Sequence, residues 1–230
     1  MQLAIDTSTD TASLALIQDS EVVAELSWRC TESHTIQLLP NLSHLLQQAG
    51  LSLQSAGGII VAKGPGSYNG LRVGVSAAKG LAFSLGIPLV GVSTLEVEAY
   101  QQAETHLPVC PVLNALRGEI ATATYQMKGG EWRQLAVEHI TTVEALCAGI
   151  TTRTLFCGEF VPFVAAELSQ RLKGKAIIVP PAARLRRAGF LAELGLKRFK
   201  AGDYDDPATL QPLYLRGPSI TQPKQREYRR

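Results

Sequence analysis

The amino-acid sequence predicts an α/β protein built from two copies of one unit. Hydrophobic residues alternate with period two through three consecutive stretches and then switch to helical spacing. The same order, β-β-β-α-β-α-β-α, begins again near residue 106. The chain has 230 residues, 46% of them hydrophobic and 18% charged, which is a globular composition able to bury a sizeable core without metal or disulfide staples.

The first copy opens with Leu3 to Thr7, Ser13 to Ile17 and Val22 to Trp28, which alternate or are rich in β-formers and are separated by turn residues at Asp10 and Asp19-Ser20. This predicts an antiparallel meander. Leu38, Leu42, Leu45 and Ala49 then recur at helical spacing after Ser33, and Gly50 closes the stretch. Pro40 lies inside it and is expected to kink the helix or delay its start. A buried strand at Ile59 to Ala62, a glycine-rich loop, a helix from Asn69 to Leu85, a strand at Pro88 to Val92 and a helix opened by a Ser93-x-x-Glu96 capping box complete the copy.

The second copy predicts strands at Val109 to Leu116, Glu119 to Gln126 and Trp132 to Glu138, with Lys128-Gly129-Gly130 as a hairpin turn. A helix after a Thr141-x-x-Glu144 capping box follows, then a strand at Leu155 to Cys157, a helix over Phe160 to Leu172, a strand at Ala176 to Val179 and a helix past Pro181. The expected division is a first lobe at 1–105 and a second at 106–205, with 206–225, punctuated by Pro207 and Pro212, packing back on the first.

No apolar run reaches the roughly 18–20 residues of a membrane span; the stretch Val75 to Val92 is broken by Lys79, three glycines and Pro88. The N-terminus has no basic region before an apolar stretch, so a cytoplasmic location is expected. Cys30, Cys110, Cys147 and Cys157 are too scattered for a disulfide framework. The net charge of +2 hides −7 over residues 1–170 and +9 over 171–230, where Arg184, Arg186 and Arg187 precede a tail with Lys224, Arg226, Arg229 and Arg230. That segment fits a phosphate backbone, an acidic protein or a merely solvated helix face.

Lys63-Gly64-Pro65-Gly66-Ser67-Tyr68-Asn69-Gly70-Leu71-Arg72 joins a buried strand to a helix, where amides and the helix dipole can hold an anion. Neither Gly66 nor Gly70 has the lysine of a P-loop after it. A dinucleotide fingerprint fails at Asn69. The glycines can equally serve a tight turn and close helix packing. Asp6, Thr7, Ser8 and Thr9 form the tip after the first strand, where a carboxylate and hydroxyls can face a phosphate or its Mg²⁺, or build local turns. The matching end in the second copy is Asn114, which supplies no second charge. Cys30 and His34 lack the further ligands that structural zinc needs, and no metal site is expected. Ser76 and Ser93 imitate half a nucleophile elbow without its closing glycine.

The Asn69 to Leu85 helix carries Leu71, Val75, Ala78, Ala82 and Leu85 in a stripe with Gly74, Ala77 and Gly80 beside it. The stripe fits a core face. It also fits a surface that pairs with the Leu38/Leu42/Leu45 helix to bind another protein, because small residues let a facing helix approach closely.

Leu3-Ala4-Ile5-Asp6-Thr7-Ser8-Thr9, the block Gly64 to Gly74 and the terminal Pro212-Leu213-Tyr214-Leu215-Arg216 are together similar to the TsaB (YeaZ) family of bacterial tRNA threonylcarbamoyladenosine biosynthesis. The resemblance covers the chain. It implies the two-lobed actin/sugar-kinase/Hsp70-like (ASKHA) fold, with no catalytic residue, cofactor or metal of its own. It further implies a supporting subunit for TsaD, which transfers the threonylcarbamoyl group to adenosine 37 of ANN-decoding tRNAs. TsaE would be a third member, a homodimer would form when TsaD is absent, and tRNA would be met only through the complex. Asp6, Thr7 and Ser8 would then be a vestigial phosphate site, and Leu38, Leu42, Leu45, Leu71, Gly74, Val75 and Ala78 the partner interface. The chain departs from the family pattern at Asn114-Ala115-Leu116-Arg117, where Asp-Ala-Arg is common, and at Tyr68-Asn69, where Phe-Thr is commoner. His34 and His44, ten apart, cannot reproduce the metal-binding histidine pair of TsaD on one helical face. Two rivals are an ATP-dependent phosphotransferase of the acetate- or sugar-kinase type using Asp6, and a serine hydrolase acting through Ser76 or Ser93.

Overall fold

The structure, a computed structural model, describes residues 1–30 and 33–217. Strands β1 (Gln2–Asp6), β2 (Thr11–Gln18) and β3 (Glu21–Arg29) form the expected meander, and β4 (Gly58–Gly64) and β5 (Leu89–Ser93) extend it in parallel on the other side of β1. The sheet order is β3-β2-β1-β4-β5. Strands β6 (Val109–Asn114), β7 (Ile120–Lys128), β8 (Glu131–Thr141), β9 (Thr154–Cys157) and β10 (Ala176–Ile178) repeat it as β10-β9-β6-β7-β8. Each strand thus has a counterpart in the same place of the other sheet, so the duplication read from the sequence is a duplication of topology. The turn between β7 and β8 has φ of 62° at Gly129 and 80° at Gly130, the doubly left-handed geometry that a two-residue hairpin favours.

Period two in β1 decides what lies on each side of the first sheet. Leu3 and Ile5 face one way, against α1 (His34–Gln48) and α2 (Tyr68–Leu85), through Leu38, Leu42, Leu45, Val75, Ala78 and Ala82. Ala4 faces the other way, with Ala15, Ile17 and Ile60, against α3 (Thr94–Tyr100) and α6 (Ala188–Lys200). The second sheet packs Cys110, Val112 and Phe156 against α4 (Val143–Gly149) and α5 (Val161–Leu172). Its opposite face meets Leu95 and Ala99 of α3. Helix α3 therefore lies between the two sheets and gives Val97 and Tyr100 to one core and Leu95 and Ala99 to the other.

Several sequence expectations change. Helix α6 falls inside the stretch 106–205 assigned to the second lobe, yet it packs on β1, β2 and β5, because its buried Ala188, Leu191 and Ala192 match the small residues of that sheet face. In the segment after it, Asp205 bridges to Leu89, Leu210 joins the core beneath α1 and α2, and the Leu213 amide donates to the Lys63 carbonyl at 2.6 Å. Residues 218–225 of the expected returning segment lie outside the described residues. Helix α1 begins at His34 under a Ser33 cap and runs through Pro40, which lies on its exposed side. Neither capping box forms as read: Ser93 makes no side-chain cap bond, and Thr142 rather than Thr141 caps α4.

The seven residues expected at a partner interface are core residues. Leu38, Leu42, Leu45, Leu71, Val75 and Ala78 are at most 6% exposed, and Gly74 is buried against Thr7. Hydrophobic spacing marked the buried side of both helices, as an amphipathic stripe normally does. The opposite side carries Ile36 at 62%, Leu39 at 57% and Phe83 at 85% exposure. Leu42→Ala should therefore lower unfolding free energy by about 2–5 kcal/mol, and Leu39→Ala should change it by no more than about 0.5 kcal/mol, in urea titrations of the two variants.

Candidate functional site

The three sequence blocks singled out above meet at the end of β1. The Ser67 amide donates to the Ser8 carbonyl at 2.7 Å, and Thr7 Oγ1 donates to the Gly70 carbonyl at 2.7 Å. A Cβ at Gly66 would overlap the Ser8 carbonyl, one at Gly70 the Thr7 carbonyl and one at Gly74 the Thr7 hydroxyl. Glycine recurs every four residues because one face of the loop and helix lies directly on the β1 tip. Tyr214 stacks beside Tyr68 at 5.2 Å between ring centroids, with the Arg72 guanidinium 4.0 Å over the Tyr68 ring. Arg216 pairs with Glu119 and donates to the Ala115 carbonyl at 3.2 Å, which ties the returning segment to the second lobe. Of the two readings of the glycines, close packing is the one that the contacts express.

Asp6, Thr7 and Ser8 are buried, at no more than 1% exposure, and Arg186 reaches the Asp6 carboxylate. Its Nε donates to Asp6 Oδ2 at 2.6 Å, and its Nη1 faces Glu98 Oε2 at 3.4 Å and Glu159 Oε1 at 3.3 Å. Its Nη2 donates to Ser8 Oγ at 3.1 Å, Thr9 Oγ1 at 2.9 Å and the Thr11 carbonyl at 3.3 Å. Asp6 Oδ1 also accepts from the Ser8 amide and hydroxyl. Arg186 is 1% exposed. Of the expected solvated or nucleic-acid-facing basic run, Arg186 is turned inward and Arg184 Nε donates to the Val179 carbonyl at 3.0 Å, while Arg187 stays exposed and donates from Nε to Glu25 at 2.9 Å. Sequence reasoning missed Glu98, Glu159 and Arg186 as a unit because they are far apart in the chain and Arg186 lay in what read as a surface run. Lys224, Arg226, Arg229 and Arg230 lie outside the described residues.

Burial raises the Glu98 carboxyl, the Arg186 guanidinium pulls it down, and Glu159 and Asp6 push it up again, leaving it at about 7. Burial also disfavours the charged Arg186, but the attraction of Asp6, Glu98 and Glu159 outweighs it and raises the guanidinium above its ordinary value. Glu98 Oε1 has no hydrogen-bond partner among the described residues.

Outside this cluster a cleft of about 1040 Å³ opens between the lobes, lined by Asp10, Arg29, Tyr68, Asn114, Phe163 and Tyr214 among others. Asn114, the counterpart of Asp6, is exposed and its Oδ1 accepts from the Leu116 amide at 2.9 Å, so it closes its own turn. Ser93 is buried, while Ser76 lies on the exposed side of α2; among the described residues no histidine is hydrogen-bonded to either. A base poised on a nucleophile is what a serine hydrolase requires.

A family model described as TsaD, tRNA N6-adenosine threonylcarbamoyltransferase, matches residues 28–175. The tRNA threonylcarbamoyladenosine biosynthesis protein TsaB of Bacillus subtilis is 33% identical over 217 residues, covering 93% of each chain. The chain belongs to the TsaB family. The Escherichia coli TsaB is 34% identical over 145 residues, 62% of each chain. The solved structure of YeaZ from Pseudomonas aeruginosa is 25% identical and superposes with a TM-score of 0.81 over 93% of this chain and 99% of that one. The two-lobed ASKHA-like architecture of the TsaB family is thus present in both sequence and fold, and the block Leu3 to Thr9 contains the Asp6 carboxylate that Arg186 holds.

The Glu98 shift carries a pH dependence whose sign is fixed. The folded state holds this proton more tightly than the unfolded chain, whose carboxyl titrates near its usual 4.5. The Glu98 contribution is therefore fully present below about 4.5 and lost as pH rises through about 7. Glu98→Gln should gain on the wild type by up to about 3 kcal/mol between pH 4.5 and pH 8, read as the difference of their unfolding free energies in urea.

Proposed function

We propose that this TsaB-family chain serves tRNA threonylcarbamoyladenosine biosynthesis as a non-catalytic subunit that binds and supports TsaD. The observation that carries the reading is the outer side of the α1–α2 pair. Helix α1 contains no Asp, Glu, Lys or Arg in 15 residues, and α2 contains only Arg72 and Lys79 in 18. Lys79 donates to the Leu210 carbonyl at 3.0 Å, and Arg72 covers Tyr68. Depletion of charge around exposed apolar side chains is the compositional mark of an interface centre rather than of solvated surface. Ile36, Leu39 and Phe83 supply the apolar anchors, while Ser76 and Gly80, one turn apart on the exposed side of α2, let a facing helix come close. This reading keeps the same two helices as the sequence expectation and turns to their other side. In this reading TsaE completes the assembly, tRNA is contacted through TsaD, and two copies of the chain pair over the same surface when TsaD is absent.

A Cβ at Gly80 meets nothing within 4 Å, so Gly80→Trp is accommodated by the isolated chain while obstructing a docked helix. Gly80→Trp and Leu39→Glu should each keep the wild-type circular dichroism and melting temperature and weaken association with TsaD at least about tenfold, since a central obstruction costs several kcal/mol. Wild-type affinity in both folded variants would sink the placement.

The silent role is supported by Arg186, which saturates the carboxylate that a phosphotransferase would need free for Mg²⁺. Isothermal titration of the isolated chain with Mg-ATP should give no micromolar binding. Such binding, abolished by Asp6→Ala, would restore the phosphotransferase reading.

A further inference from the structure

Arg186 belongs to neither sheet. It precedes α6 in the stretch that leaves β10 of the second sheet and crosses to the first. Its partners come from three sides: Asp6, Ser8, Thr9 and Thr11 from the β1–β2 tip of the first lobe, Glu98 from the helix lying between the lobes, and Glu159 from the β9–α5 turn of the second. Thr9 Oγ1 joins the two lobes directly by donating to Glu159 Oε1 at 2.6 Å. The salt bridges of Asp6, Glu98 and Glu159 all run to Arg186. We propose that these three carboxylates form a guanidinium pocket at the junction of the lobes, which the chain fills with its own Arg186, and that the filled pocket bolts the lobes in one closure.

The chemistry follows from the shapes involved. A guanidinium is a flat donor with five N–H groups, and here they are distributed over three carboxylates, two hydroxyls and a carbonyl. An ammonium has three donors on one atom and cannot span the same points. Removing the guanidinium leaves Asp6 and Glu98 buried with the partly exposed Glu159 beside them, which like-charge repulsion and desolvation both oppose. The lobes then relieve that repulsion by separating, because the carboxylates sit on different elements. In ordinary lobed folds closure is supplied by a ligand; in this chain the closing cation is covalently part of the crossover.

The bolt makes a prediction that a merely packed arginine does not. Arg186→Ala should melt at least about 5 °C below the wild type, expose amides of 6–11 and 157–161 to faster hydrogen exchange, and show a larger radius of gyration in X-ray scattering. Guanidinium chloride at 10–50 mM should restore at least half of the lost melting temperature to Arg186→Ala, while equal sodium chloride does not and the wild type gains nothing. Arg186→Lys should remain defective and should not respond, because its own ammonium occupies the pocket. Should Arg186→Ala fail to fold, Thr9→Val, which removes the hydroxyl shared by Glu159 and Arg186, tests the bolt: it should raise exchange at 157–161 at least threefold with the first-lobe core unchanged. A folded Arg186→Ala with wild-type exchange and radius, or one whose loss guanidinium does not repair, overturns the pocket; a Thr9→Val variant with wild-type exchange overturns the bolt. None of these readouts involves TsaD, so the outcome is separate from that of the interface variants.

Discussion

The arrangement of this chain depends on one buried cation. A guanidinium taken out of water costs several kcal/mol unless its donors and charge are matched, and truncating one partner of such a pair typically costs about 3–5 kcal/mol. Arg186 is matched on three sides at once, so every element that supplies a partner is held relative to the others. The β1 tip, the β9–α5 turn, helix α3 and the entry to α6 share this one constraint. It also explains how Asp6 can lie at 0% exposure: the charge that balances it is on the same chain.

Helix α3 adds the apolar half of the same junction. Six of its seven residues are buried, with neighbouring turns facing different sheets, so it cannot move with one lobe without leaving the other. Glu98 is placed by that helix, between Val97 of one core and Ala99 of the other, and its carboxyl is consequently denied water from both sides. The raised affinity of Glu98 for a proton is the electrostatic trace of a helix buried on all sides.

Much of the fold was legible because its signals are local. Alternation at Leu3 to Thr7, helical spacing at Leu38, Leu42 and Leu45, and the Gly129-Gly130 turn each depend on residues within one or two turns, and each appears where the periodicity puts it. The placement of α6 was not legible, since a helix with one apolar stripe satisfies either sheet and only the small residues of the first sheet's inner face select it. The same limit applies to the site. Period and spacing identified Asp6, Thr7 and Ser8 as a special tip, but Arg186 is 180 residues from Asp6 and carries the local signature of a surface basic run. Spacing also picked out α1 and α2, and the residues it marked there are buried ones, because regular apolar spacing reports burial in the chain's own core. The outward face announces itself through missing charge, which no periodicity measure registers.

The duplication shows how one unit acquires two uses. Both copies end a parallel strand with a left-handed glycine, Gly64 at φ 114° and Gly158 at φ 105°, and both glycines lie against backbone where a Cβ would not fit. After Gly64 the chain continues into Gly66, Gly70 and Gly74, and the following helix is drawn onto Thr7 and Ser8, leaving its far side clear. After Gly158 comes Glu159, and the turn instead sends a carboxylate across to Thr9 and Arg186. The counterpart of Asp6 is Asn114, which satisfies its own turn and asks for no cation. Charge is therefore concentrated at the junction of the lobes from both copies and countered there by Arg186, while the first copy's helix pair keeps an outer side poor in charge. A superfold whose lobes commonly close on a ligand is here closed on itself, and the surface left without an internal partner is the one suited to another protein.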